Sequence, residues 1–171
     1  MSMYPEPTNI WESLEYSGLG LFIAEATWAF PLLETLHVIF LATVLGTIFV
    51  MDLRLLGWTS NKFAVTATAK DTLPWTWGGF VGAAITGLLL FTSKATSYVI
   101  NPYFLWKMAL IALAGLNMMY FHFITYRTVA HWDRDASVPV AVKVAAGLSL
   151  LFWVLVVFFG RAIGFTLGMF Y

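Results

Sequence analysis

The 171-residue chain is 60% hydrophobic and 11% charged, and its nine basic and nine acidic side chains cancel. A soluble domain carries about 25% charged residues, so this composition, with a mean hydropathy of +0.81, points to the bilayer. Zero net charge leaves no electrostatic footprint for nucleic acid, and the lack of cysteine excludes disulfides, thiolate-bound metals, iron–sulfur clusters and thioether-attached haem.

The first thirty residues contain Glu6, Glu12, Glu15 and Glu25 and no basic residue. The first Lys or Arg is Arg54, so the basic region of a signal peptide is missing and the first span is expected to stay in the mature protein. Trp11, Leu14, Leu21 and Phe22 fall at helical spacing with Glu12 and Glu15 to one side. That pattern predicts an amphipathic interfacial helix over about 8–28, lying on the outer leaflet or capping the bundle. An extended lid docked on the bundle is the alternative. Pro31, lacking a backbone donor, separates this segment from the helix that follows.

Four apolar segments follow, at roughly 30–56, 77–97, 103–126 and 140–165. Each can cross a hydrocarbon core of about 30 Å at 1.5 Å rise per residue. The connections are too short for a soluble module, so residues 1–171 read as one integral membrane domain. The expected fold is all-α: a four-helix transmembrane bundle with an N-terminal interfacial helix.

The first span holds Glu34 and His37, three apart and on one face. Asp52 follows Glu34 by 18 residues, five turns at 3.6 residues each, with Leu41, Leu45 and Ile48 on the stripe between. One reading makes Glu34 and His37 a metal, haem or proton site near the outer surface, since ionisable groups inside a membrane are commonly functional. The other makes Glu34 the ion-pair partner of Arg161 on the fourth span, with His37 hydrogen-bonded in a structural role. The Glu-x-x-His pattern also occurs in di-iron bundles, but such a site needs it twice, and here it occurs once.

The second span carries Gly78, Gly79, Gly82, Ala83 and Gly87, and the fourth Gly160, Gly164 and Gly168. Small residues at this spacing mark where backbones approach, within a protomer or between protomers. In the third span Lys107 is placed to snorkel outward, and Asn117 needs a partner helix. His122 lies one turn from Met118 and Met119, and with Met51 and Asp52 at similar depth it forms a thioether–imidazole set suited to Cu(I). Met as an apolar gap-filler, with His122 snorkelling beside Arg127, is the plainer reading.

Depth separates the two histidines. His37 lies about 7 residues from the outer edge and His122 about 4 from the inner one, on the order of 14 Å apart along the normal. One protomer therefore offers no bis-His haem, and a haem on His37 would need a symmetry mate or another subunit. Lys and Arg cluster in the first and third connections, which places both termini outside, periplasmic in a bacterium. Trp28, Tyr98, Tyr103 and Trp106 would mark the outer interface, and Trp58, Trp75, Trp77 and Trp132 the inner. No P-loop, dinucleotide fingerprint, nucleophile elbow or His-Glu-x-x-His motif is present, so no catalytic residue is assigned.

The stretches Leu33-Glu34-Thr35-Leu36-His37-Val38 and Asp52-Leu53-Arg54-Leu55-Leu56-Gly57 carry a family resemblance, together with Asn101-Pro102, Leu110 to Asn117 with His122, Trp132-Asp133 and Gly160-Arg161. Over nearly its whole length the chain resembles a family of small bacterial four-helix inner-membrane proteins of unknown function. Its layout is more loosely similar to copper-resistance D-type and haem-binding membrane bundles. The resemblance implies a bacterial inner membrane, singles out Glu34, His37, Asp52, Arg54, Asn117, His122 and Arg161, and implies no activity.

The expectation is a small membrane subunit of a redox or respiratory-type assembly, with haem b or copper as the candidate cofactors. The alternatives are an anchoring subunit of a larger membrane complex, or a small transporter or proton pathway using the Glu34–His37–Asp52 stripe. The expected partners are the lipid bilayer and either further copies of the chain or other membrane subunits.

Overall fold

The computed structural model describes residues 6–59, 62–134 and 138–170, and the described residues are helical with no strand. Two short helices, α1 (Ile10–Glu15) and α2 (Gly18–Glu25), precede α3 (Ala29–Leu56). Then come α4 (Val65–Thr92), the short α5 (Ala95–Ile100), α6 (Pro102–Tyr120) and α7 (Val140–Thr166). Between α6 and α7 the chain passes through a π turn, Phe121–Thr125, and a 3₁₀ turn, Tyr126–His131. Four stretches are long and apolar enough to cross a membrane: α3, α4, Pro102–His131 and α7.

Local chemistry sets the boundaries. Pro31 falls in the first turn of α3, where its missing N–H would have no helical partner anyway, so it sits inside the helix. The far end closes in a Schellman motif: Gly57 takes φ 79°, its N–H reaches the Arg54 carbonyl at 3.1 Å, and the Trp58 N–H reaches that of Leu53 at 3.0 Å. α6 starts at Pro102 behind Asn101, whose side chain accepts the Tyr103 N–H at 2.9 Å and donates to Thr166 Oγ1 of α7 at 3.1 Å.

Two elements depart from the sequence pattern. α4 begins at Val65 rather than at 77, because its N-terminus is capped from 67 residues away in sequence: Asp133 Oδ1 accepts the Thr66 N–H at 2.8 Å, Oδ2 accepts the Thr66 hydroxyl, and the Asp133 carbonyl accepts the Val65 N–H. The single interfacial helix expected over 8–28 is instead two helices. Tyr16 closes the first, and Ser17 caps the second by accepting the Gly20 N–H at 3.1 Å. The break lets both pieces dock. Glu15 accepts the backbone N–H and hydroxyl of Thr96, Trp11 meets the Phe91 ring edge-on, and Ile23 is buried. Gly20 passes so close to the Leu14, Glu15 and Thr92 carbonyls that a side chain there would overlap them. The segment caps one end of the bundle.

α3 packs on α4, α6 on α7, and a contact between α3 and α7 joins the pairs. The α3–α4 seam interlocks side chains with glycines. A methyl on Gly79 would lie 3.0 Å from Val44 Cγ2, one on Gly82 would lie 2.6 Å from the Phe40 ring, and one on Gly87 would lie 3.0 Å from His37 Cε1. Hydroxyl contacts flank the glycines, Thr76 donating to Thr47 at 2.8 Å and His37 meeting Thr86 at 3.0 Å. Lipid supplies no hydrophobic drive between helices, so close backbone approach of this kind holds them together. On the fourth span only part of the expected glycine stripe is filled: Gly160 is covered by Lys107, and Gly164 has nothing beside it.

Two apolar clusters lie along the axis. The central one joins Val44, Leu110, Ala114, Trp153 and Val156 from three helices. The other joins Leu55, Val65, Trp132, Val138, Val142 and Ala146 at the end where α3 closes and α4 and α7 begin. Trp132, expected at the interface, belongs to this core and donates its indole N–H to Thr128 at 3.0 Å. Trp58, Trp75, Trp28 and Trp106 do face outward.

The glycine seam gives a stability prediction. Gly82→Ala drives a methyl into Phe40 and should cost about 1–3 kcal/mol, whereas Gly164→Ala meets open space and should change stability by under about 0.5 kcal/mol. Thermal unfolding in detergent compares the two.

Candidate functional site

The polar groups inside the bundle collect at two levels. Near the end where α3 and α6 begin, His37 of α3, Thr86 of α4 and Lys107 of α6 lie on the order of 10 Å from their helix ends, counting 1.5 Å per residue. Thr86 is buried and spends its single hydroxyl proton on the Gly82 carbonyl at 2.7 Å. His37 Nδ1, 3.0 Å from that hydroxyl oxygen, is therefore the donor. With the proton on Nδ1, Nε2 keeps its lone pair. Lys107 is the cation whose field His37 feels, and its ammonium lies 3.7 Å from where a Gly160 side chain would begin. Gly87 and Gly160 leave the space that the two long side chains occupy.

At the other level, near the C-terminal end of α3, Asp52 is 6% exposed and lies beside Ser149 of α7, while its Oδ2 has no hydrogen-bond partner. Arg54, 1% exposed, turns elsewhere: Nε donates to the Phe63 carbonyl at 2.9 Å and Nη2 to the Asp133 carbonyl at 3.3 Å. The Arg54–Asp133 contact thus ties the end of α3 to the start of α4 and to the loop before α7. Asn117, as its depth required, bonds a neighbouring helix, donating to the Ala145 carbonyl at 2.8 Å.

The remaining sequence candidates separate. Glu34 faces outward while His37 turns into the α3–α4 seam, so the two do not share one pocket. Glu34 instead lies where its charge acts on Tyr98 of α5, whose hydroxyl is pushed up to about 12, first by burial and then by that carboxylate. Arg161 faces outward over the Phe165 ring at 4.6 Å, and among the described residues no ion pair joins it to Glu34. The sequence pairing rested on depth alone, and the helices turn these side chains outward. His122 is exposed and stacks on Tyr126 at 5.6 Å. Met118 and Met119 are also outward-facing, but Met51 packs against the inner core. Met51 is thus parted from the other three side chains proposed for copper, which face outward. Among the described residues no three His, Asp or Glu side chains converge as metal ligands.

Sequence reasoning missed Thr86 and the structural use of Arg54, and it sent Lys107 outward. A signal for Thr86 existed: it is a hydroxyl beside Gly87 on the glycine face of the second span, where a partner side chain has room to enter.

The chain belongs to a family of unknown function (DUF6644), whose model matches residues 14–166. The family resemblance carried by the sequence motifs is thereby borne out. No curated protein and no solved structure matches the chain.

With Glu34 and Arg161 unpaired, each single change to Gln should cost under about 1 kcal/mol, and the double change should equal the sum. A thermal double-mutant cycle in detergent measures this. A coupling well above about 1 kcal/mol would restore the ion pair.

Proposed function

For this member of the family we propose a proton-handling role: a small multi-pass membrane subunit of transport type, working through ionisable side chains held inside the bundle. One observation carries the reading. His37, Lys107 and Asp52 all lie on helices long and apolar enough to cross a membrane, turned toward other helices, and among the described residues no ion pair holds any of them. Such groups are costly in a membrane, and function is the usual reason they persist. His37 has the form a relay needs, with Nδ1–H anchored and Nε2 open to a proton. Between the outer groups and Asp52 stands the apolar cluster of Val44, Leu110 and Trp153. That plug spans most of the roughly 22 Å between His37 and Asp52 along α3, counting 1.5 Å per residue. A route interrupted in this way conducts only when the plug is hydrated or rearranged, which protects the membrane potential at rest.

The proposed orientation puts α1, α2, α5 and the α7 end outside, in the periplasm of a bacterial inner membrane, with the basic connections in the cytoplasm. α1 and α2 would then rest at the outer interface. The termini themselves, residues 1–5 and Tyr171, lie outside the described residues. A second reading, His37 as ligand to a b-type haem or copper in a redox assembly, draws on the same free Nε2, although both flanks of the ring are filled by Thr86 and Gly87.

In proteoliposomes with an imposed potential, the wild-type chain should acidify or alkalise the lumen, and His37→Gln should slow the flux about tenfold or more. Flux unchanged in His37→Gln would defeat the relay. A Soret band in protein from a native host, lost in His37→Ala and kept in His122→Ala, would favour the haem reading instead. For orientation, single cysteines at Glu6 and Thr59 should label from opposite faces with an impermeant thiol reagent. Labelling of both from one face would overturn the four-span arrangement.

A further inference from the structure

Asp52 is the only buried carboxylate among the described residues. The Ser149 hydroxyl lies beside the carboxyl group, and Oδ2 is sealed from solvent with nothing to bond. The nearest cation in sequence, Arg54, points to another face of α3 and is committed to the Phe63 and Asp133 carbonyls. The nearby acid Asp133 is committed to the α4 N-terminus through Thr66. From α4, α6 and α7 no charged side chain acts on Asp52, only the Ser149 hydroxyl. A carboxylate anion with an orphaned oxygen in an apolar interior is strongly disfavoured, and the neutral acid is the form such a site tolerates.

We infer that Asp52 is a proton-binding site, carrying an exchangeable proton on Oδ2 and forming the inner terminus of the route. The inference takes its purpose from the proton-handling reading, while its evidence is the geometry of this one carboxyl. Asp52 lies one turn from Leu56, where α3 ends, so exchange with the inner aqueous face needs only a short opening of the Leu55–Val142 cluster. A metal cation is the poorer occupant: hard cations require about six oxygen ligands, and here Asp52 and Ser149 supply the oxygens.

A membrane-soluble carbodiimide tests this in the full chain in detergent at neutral pH. The reagent needs a carboxyl group that is both protonated and shielded from water. The acid proton passes to a carbodiimide nitrogen, a carboxyl oxygen bonds the central carbon, and acyl migration to nitrogen gives a stable N-acylurea. Nothing leaves, so the peptide gains the mass of one carbodiimide. Peptide mapping should place this adduct on Asp52, and Asp52→Asn should lack it. Ser149→Ala, which removes the one donor favouring the anion, should label several-fold faster, and this arm stands if Asp52→Asn fails to fold. An unlabelled Asp52 in both the wild type and Ser149→Ala would overturn the inference. So would protection of Asp52 by sodium at constant pH, which would make it a metal site. An adduct without proton flux would keep the site and overturn the route, and flux without an adduct would do the reverse.

Discussion

The interlock of α3 with α4 is the contact on which the rest depends. In lipid the helices gain nothing from hiding apolar surface, so association rests on close packing and on the few polar bonds between them. Phe40, Val44 and His37 enter the spaces left by Gly82, Gly79 and Gly87, and the Thr47–Thr76 and His37–Thr86 contacts close the seam at either side. That seam fixes the rotation of α3 about its own axis. Once it is fixed, Leu45, Ile48 and Asp52 are directed toward α7, and Glu34 is left facing out.

The same rotation explains how polar groups are distributed along the molecule. Hydroxyls and glycines line the α3–α4 contact, where His37 needs an acceptor. The α3–α6–α7 core at mid-depth is wholly apolar. At the C-terminal end of α3 backbone carbonyls, rather than carboxylates, satisfy Arg54, and this frees Asp133 to cap α4. Among the described residues Lys107 has no opposite charge beside it and Asp52 Oδ2 has no hydrogen-bond partner, a costly condition for polar groups inside an apolar bundle. Groups kept in that condition at two levels, with an apolar plug between them, are what a gated proton route requires.

Much of this was legible in the residues. Long apolar runs marked the spans, because a bilayer demands length and little else. The third span was expected to open at 103 and α6 opens at Pro102, and Asn117 at its depth demanded a partner helix and has one. The glycine face of the second span pointed to a close contact without naming α3 as the partner. What stayed hidden depended on tertiary bonds. The start of α4 rests on Asp133, far along the chain, and no local pattern around Val65 reveals it. Helical phase gave the relative faces of Glu34, His37 and Asp52, but packing alone decides which neighbour each face meets. The groupings of Glu34 with Arg161 and of Met51 with His122 come apart in the fold for that reason: depth brought the side chains level, and packing turned them in different directions.

The central claim is that Thr86 fixes the His37 ring as the Nδ1–H form with Nε2 open. Nitrogen-15 NMR of imidazole-labelled protein reads this directly, because the chain has three histidines and His37→Gln identifies the signal. The account predicts a protonated Nδ1 and an unprotonated Nε2 for His37, with that assignment lost or exchange-broadened in Thr86→Val. A His37 ring carrying its proton on Nε2, or one indifferent to Thr86→Val, would contradict it.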